Sequence, residues 1–334
     1  MPEVAVITSI SRDHVRILGD KISQIAREKA GIMKPDVPTV VAKNHQAAWR
    51  VIREKAADVD SETVSACATI RASNSCPRVS DDHRQEFVLK RWRPSRQRNG
   101  KFSGIDPVQA LQRLPDPGLA DVKVRTALLG NHQIDNARTA AAVLNVLYTT
   151  GLRFDVNAAI RGISDAEWPC RVEMLDLAEW PLIVLDGAHN DASMKALRDA
   201  IVDYADLPYI LIVGATEGHD HEKTTLELAA ASVLTIATQS RHPKSVPAAR
   251  FIDVASEYGM NFMRSENVAT ALETASSIVR ERPDIGMIIV TGSLFVAAEA
   301  REHLLNIEPE IYDDLAQPYM VPYATLETAN DRIV

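Results

Sequence analysis

The chain has 334 residues, 46% of them hydrophobic and 25% charged, and a formal net charge of −8. That balance suits a folded protein with room for two cores and argues against a general nucleic-acid binder; an anionic ligand would have to be met by local cations. Cys67, Cys76 and Cys170 form neither a metal-type spacing nor a disulfide framework, so a reducing cytoplasm is the expected setting. The apolar runs are too short to span a bilayer, and the opening "MPEVAVITSI" does not read as a signal peptide.

In chain order, "EVAVITSI" is a short β-branched run and predicts a buried strand. "GDKISQIAREKAGIMKP" follows as a helix stopped by Gly31 and Pro35. "VPTVVA" is the next strand, and a helix is expected near 45–57. Residues 60–125 are polar and irregular, with a strand-like start at "EFVLKRW"; they read as a solvated hairpin or surface insertion. Helical patterning resumes in "LLGNHQIDNARTAAAVLNVLYTTG" and "DVNAAIRGI". At "DAEWPCRVEML" the chain crosses into a second unit, because Trp168 and Pro169 interrupt the pattern. Four strands then alternate with helices: "PLIVLDGAHN", "YILIVGA", "VLTIATQS" and "MIIVTGSLF". The expectation is an α/β protein with parallel or mixed sheets, the second unit doubly wound. The boundaries are 1–168, 169–305 and an acidic tail, 306–334.

Ligands of open parallel sheets collect beyond the carboxyl ends of strands. Four histidine-bearing loops fall there: "TSISRDH" with Asp13 and His14, "LDGAHN" with Asp186, His189 and Asn190, "VGATEGHDH", and "TQSRHP". Asp186 and His189 are the strongest pair, since a carboxylate takes ribose hydroxyls and an imidazole meets phosphate or supports a metal. A search for a phosphate loop fails: Gly100-Lys101 has no glycine five residues earlier, and Phe102 stands where a hydroxyl would be needed. Lys29 shares a helical face with Ile22, Ile25 and Ala26. Two readings follow. The side chain snorkels from the helix end, where the dipole also favours a cation; periodicity alone favours this one. Alternatively it is buried, and burial disfavours an ammonium, so that the neutral amine could take up carbon dioxide as a carbamate.

These segments together resemble the folylpolyglutamate synthases of the Mur ligase superfamily. "ITSISRDHVRILGDKISQIAREKAGIMKPDVPTVV" is similar to a central-domain segment of that family, "LLGNHQIDNARTAAAVL" to its Gly-x-His-Gln-x-x-Asn-Ala segment, and "WPCRVEML" to its Trp-Pro-Gly-Arg stretch, with Cys170 where glycine is usual. "LDGAHND", "SRHP" and "VTGSLFVAAEAR" complete the series in family order, from residue 4 to about 301. The resemblance implies a partial Mur ligase central ATPase domain followed by a Rossmann-like C-terminal domain. It implies an ATP- and Mg2+-dependent ligase that joins L-glutamate to a folate through an acyl phosphate, with dihydropteroate as a further substrate. On it, His14 is a magnesium ligand and Lys29 the carbamylated lysine supporting metal and acyl phosphate. Gln133 and Asn136 lie near adenine or ribose, Arg171 meets ATP phosphates, and Asp186 and His189 reach the nucleotide from the second domain. Lys29, His14 and His189 are thereby the catalytic candidates. The family's N-terminal phosphate loop is not in this sequence, and Ser11 and Arg12 depart from its usual Gly and Leu. The expectation is therefore an exposed apolar edge at "EVAVITSI", met by a complementing N-terminal fragment or by a second copy. The alternative is a non-catalytic relative that binds nucleotide or folate.

Overall fold

The computed structural model describes residues 1–11, 21–76, 82–91, 121–201, 206–217 and 225–311. The chain builds three sheets. The first is parallel, with β1 (Ala5–Ile7), β2 (Thr39–Val41) and β3 (Thr63–Ser65) in that order; Val6 lies opposite Val40, and Val40 opposite Val64. Helices α1 (Ile22–Ala30) and α2 (Gln46–Asp58) pack together on one face. Apolar residues recur there at helical spacing: Ile25, Ala26 and Ala30 from α1, and Ala48, Val51, Ile52 and Ala56 from α2, are buried with Ile7, Met33 and Val41.

The region expected to be a solvated insertion is partly core. After a short helix α3 (Ala66–Thr69), β4 (Ile70–Cys76), β5 (Gln85–Arg91) and β6 (Val122–Thr126) form an antiparallel sheet. Its alternating pattern puts Phe87, Leu89 and Val124 fully inside, against Val40, Ala66 and Ile70. Lys90, Lys123 and Arg125 stay exposed. Among the described residues of the segment, the exposed Lys90, Lys123 and Arg125 lie on the outer face and hid the inner one. Helix α4 (Asn131–Thr149) closes this core with Ile134, Ala141, Ala142 and Val146; α5 (Val156–Ser164) follows, capped by Asp155.

The second unit has six strands where four are legible. The order is β11 (Met263–Arg264), β10 (Leu234–Ala237), β9 (Tyr209–Val213), β12 (Met287–Thr291), β8 (Leu182–Leu185), β7 (Glu173–Leu175), all parallel except β7. In β9, Ile210 and Ile212 enter one core and Tyr209, Leu211 and Val213 the other, so the strand reads as a continuous apolar run. Helices α6 (Asp191–Ala200), α7 (Leu226–Ala231), α8 (Ala248–Glu257), α9 (Val268–Glu281) and α10 (Leu294–Leu305) cover the faces. Asn306, left-handed at φ 51°, ends α10. No described helix is long and apolar enough to cross a membrane.

Candidate functional site

The carboxyl ends of β8, β9, β10 and β12 converge, as the doubly wound topology requires. Asp186 follows β8 and is 6% exposed. Its Oδ2 accepts from the Val172 amide and its Oδ1 from the Ala188 amide, both at 2.8 Å. Burial pushes its carboxyl up to about 6, against the pull of those two amides and of Arg171 and His189. At His189, Nδ1 donates to the Gly187 carbonyl at 2.8 Å, which fixes the plane of the ring. Asn190 caps α6, its Oδ1 accepting from the Ser193 amide at 2.9 Å.

Arg171 is exposed, and among the described residues it makes no ion pair or hydrogen bond. Its charge acts on both Asp186 and His132. His132, at the start of α4, is held below its ordinary pKa by burial first and by Arg171 second. The next residue, Gln133, is buried, and its Oε1 accepts from Asn136 Nδ2 at 2.9 Å. The structure thus gathers Arg171, Asp186 and His189 at the strand ends, with the first turn of α4 opposite.

Lys29 stands apart from that group and corrects an expectation. It is exposed. The buried face of α1 is centred on Ala26 and Ala30, which turns Lys29 onto the flank. The carbamate reading assumed burial; the described residues leave this amine hydrated. Lys29 does line a cleft of about 440 Å³ with Glu28 and the loop Thr8, Ser9, Ile10 and Ser11 beyond β1. Asn44 sets that loop: its Oδ1 accepts from the Ile10 amide at 2.7 Å, and its Nδ2 donates to the Thr8 carbonyl at 3.0 Å. His14 lies outside the described residues. Val6 and Thr8 also border an apolar groove with Asn136, Ala140, Val143 and Ile163, so β1 runs between the lysine cleft and α4.

Several supporting residues are not legible as such in the sequence. Gln85, from the basic segment, clamps the loop before α4: its Nε2 donates to the Leu128 carbonyl at 2.5 Å, and its Oε1 accepts from the Gly130 amide at 3.2 Å. Gly130 sits at φ 99°, and a Cβ there would lie 2.9 Å from the His132 ring. Thr216 and Ser293 share a hydroxyl hydrogen bond of 2.9 Å across the ends of β9 and β12. His242 stacks on Phe295 with ring centroids 4.0 Å apart. "SRHP" and "TGSLF" marked these loops, but nothing in their spacing showed which side chains meet.

Asp186 also gives a pH prediction. Its folded pKa, about 6, lies above the ordinary value of 3.8. The folded state therefore holds the extra proton between those values. The associated stability is full below 3.8 and is lost as pH rises through about 6, a change on the order of 3 kcal/mol. His132, with its lowered pKa, contributes in the opposite direction and is common to both proteins compared. Urea unfolding of wild type and Asp186→Asn should show the variant gaining relative stability from pH 4 to about 6.5 and then levelling. Parallel curves would count against a raised Asp186 pKa.

Residues 170–294 match the family model described as "Mur ligase, glutamate ligase domain". Over 91% of its length the chain is 27% identical to the folylpolyglutamate synthase of Lacticaseibacillus casei, covering 63% of that protein. It is 29% identical to a probable bifunctional folylpolyglutamate synthase/dihydropteroate synthase of Haloferax volcanii, over 90% of this chain and 32% of that one. Among solved structures, Mycobacterium tuberculosis folylpolyglutamate synthase complexed with ADP superposes with a TM-score of 0.70 at 24% identity, covering 92% of this chain and 64% of that one. That likeness speaks for the fold. The chain thus spans less than two thirds of the length of these relatives.

Proposed function

We infer that this chain, a relative of the folylpolyglutamate synthases in the Mur ligase superfamily, is an ATP-dependent ligase adding L-glutamate to the γ-carboxylate of a folate, or to dihydropteroate. The observation that carries the reading is the exposed Arg171 at the strand ends, which among the described residues has no ion pair, beside Asp186 and His189 and opposite Gln133 and Asn136. Residues 1–168 would form the ATPase portion, 169–305 the glutamate-ligase portion and 306–334 a tail, working in the cytoplasm.

The chemistry is phosphoryl transfer followed by acyl transfer. The substrate carboxylate takes the γ-phosphoryl group of ATP, giving an acyl phosphate and ADP. The glutamate amine then attacks the acyl carbon, phosphate leaves, and the nitrogen loses a proton as the amide forms. The protein's part is positioning and charge neutralisation. Arg171 would take phosphate oxygens, and Gln133 and Asn136 the adenine or ribose. His189 would offer Nε2 toward the nucleotide, its ring fixed by the Gly187 carbonyl. The donors beside Lys29 are oxygens of Thr8, Ser9, Ser11 and Glu28, a set that suits a hard cation. Magnesium would be held there with His14 and would neutralise phosphate charge; a carbamylated Lys29 would join it only where a complementing polypeptide covers the amine, which the described residues leave exposed.

A second reading is that turnover needs a complementing polypeptide that carries a phosphate loop. It is favoured by β1, which among the described residues pairs only with β2, and by the apolar groove beside it. One experiment tests both. A reduced folate, L-glutamate and MgATP are incubated with the chain alone and with the N-terminal phosphate-loop portion of a relative, and products are weighed by mass spectrometry. Addition of one glutamate residue is expected, reduced at least tenfold in His189→Ala. Product only with the added portion supports the second reading, and no product in either arm overturns the ligase assignment.

A further inference from the structure

The segment that carries Arg171 is strained and tied down from several sides. Cys170 has φ 59° and Val172 φ 51°, both in the left-handed region. That region is uncommon for any non-glycine residue and is an outlier for a β-branched valine. Such conformations are costly and persist where the surroundings over-determine them. Here the surroundings do so. The Cys170 amide donates to Glu173 Oε2 at 2.9 Å, and Glu173 is held in turn by Arg301 Nε at 2.9 Å. The Cys170 carbonyl accepts from the Gly187 amide at 2.9 Å. The Val172 amide donates to Asp186 Oδ2 at 2.8 Å. Cys170 and Val172 are 2% and 1% exposed, so the turn buries its two flanking side chains in opposite cores and projects only Arg171 outward.

We propose that Asp186 is a positioning residue for the bound nucleotide: it holds the Val172 amide, keeps the 170–172 turn left-handed on both sides of Arg171, and so aims the guanidinium at the phosphates. The proposal rests on the reading that a nucleotide binds at these strand ends. It differs from a direct ribose contact in a way the geometry supports. Each Asp186 oxygen already accepts a backbone amide, and the residue is nearly closed to solvent. The charged groups acting on this carboxylate are Arg171 and His189; Asp186 in turn acts on the Cys170 thiol, as do Glu173 and Arg301.

The test is a double-mutant cycle on ADP affinity, measured calorimetrically at neutral pH with the full chain as wild type, Arg171→Ala, Asp186→Asn and the double variant. Asparagine is nearly isosteric but presents one acceptor oxygen where two are used. Asp186→Asn is expected to weaken ADP about tenfold when Arg171 is present and less than about twofold when it is absent. An equal loss in both backgrounds would mean that Asp186 meets the nucleotide by itself, and would overturn the proposal. Amide hydrogen exchange on the same proteins without ligand provides a separate arm. The Val172 amide should exchange at least about tenfold faster in Asp186→Asn, while β12 is unchanged. Unaltered exchange at Val172 would sink the proposal even if ADP binding fell. If wild type failed to bind ADP, the nucleotide reading would be lost, and the exchange arm would still decide whether Asp186 holds the turn.

Discussion

Replacing Gly292 with alanine should cost the fold at least about 4 kcal/mol. Gly292 follows β12 at φ 95°, and a Cβ built there would stand 2.3 Å from the Gly214 carbonyl oxygen. The obstacle is backbone, so it has no rotamer into which to retreat. The two chains run together because β9 and β12 are paired in register up to Val213 and Thr291, and the Gly214 amide donates to the Thr291 carbonyl. A side chain at 292 would have to pry apart the two central strands of the six-stranded sheet, and would also part Ser293 from Thr216. Urea unfolding of the full chain measures this. A loss below about 1 kcal/mol would show that the loop can slide aside.

Arg171→Ala should weaken ADP binding by roughly 10- to 100-fold while leaving the melting temperature nearly unchanged. The side chain is exposed and makes no ion pair among the described residues, so its removal strips a ligand-facing charge and breaks no ion pair or hydrogen bond among them. Part of the loss should vanish as salt is raised, because an exposed cation is screened. Lysine at 171 should restore less than half of the lost free energy, since a point charge cannot make the paired hydrogen bonds of a guanidinium. A lower melting temperature with unchanged affinity would assign Arg171 a structural role instead.

The alternation of apolar runs with helical segments was enough to foresee parallel sheets, because strands buried on both faces, such as β9, leave an unmistakable run. Other elements were hidden for definable reasons. Phe87, Val88 and Leu89 are a short apolar run between Glu86 and Lys90, and charged residues dominate the sequence of their segment. Helix α8 follows a proline-bearing loop with no acidic first turn or side-chain cap, and β11 is only two residues long. At the site, the loops could be named from motifs, but a motif does not show direction. Helical spacing groups Lys29 with Ile25 and Ala26, yet a small rotation of the buried face decides between core and rim, and here the paired alanines set it at the rim. The strain around Arg171 was likewise invisible: Cys170 in place of a usual glycine hinted at it, whereas nothing marked Val172.

Leu129 has a mechanical consequence. It packs in the core of the six-stranded sheet with Val172, Met194 and Leu197, whereas Ile134, a short step along the chain, packs in the core beneath β5. Gly130 between them lies so close to Ala200 that a Cβ would approach it to 3.0 Å. The start of α4 is thus bolted to both bodies. Were one body to shift against the other, the start of α4 would be the point least free to move, because Leu129 and Ile134 would each have to leave a packed core.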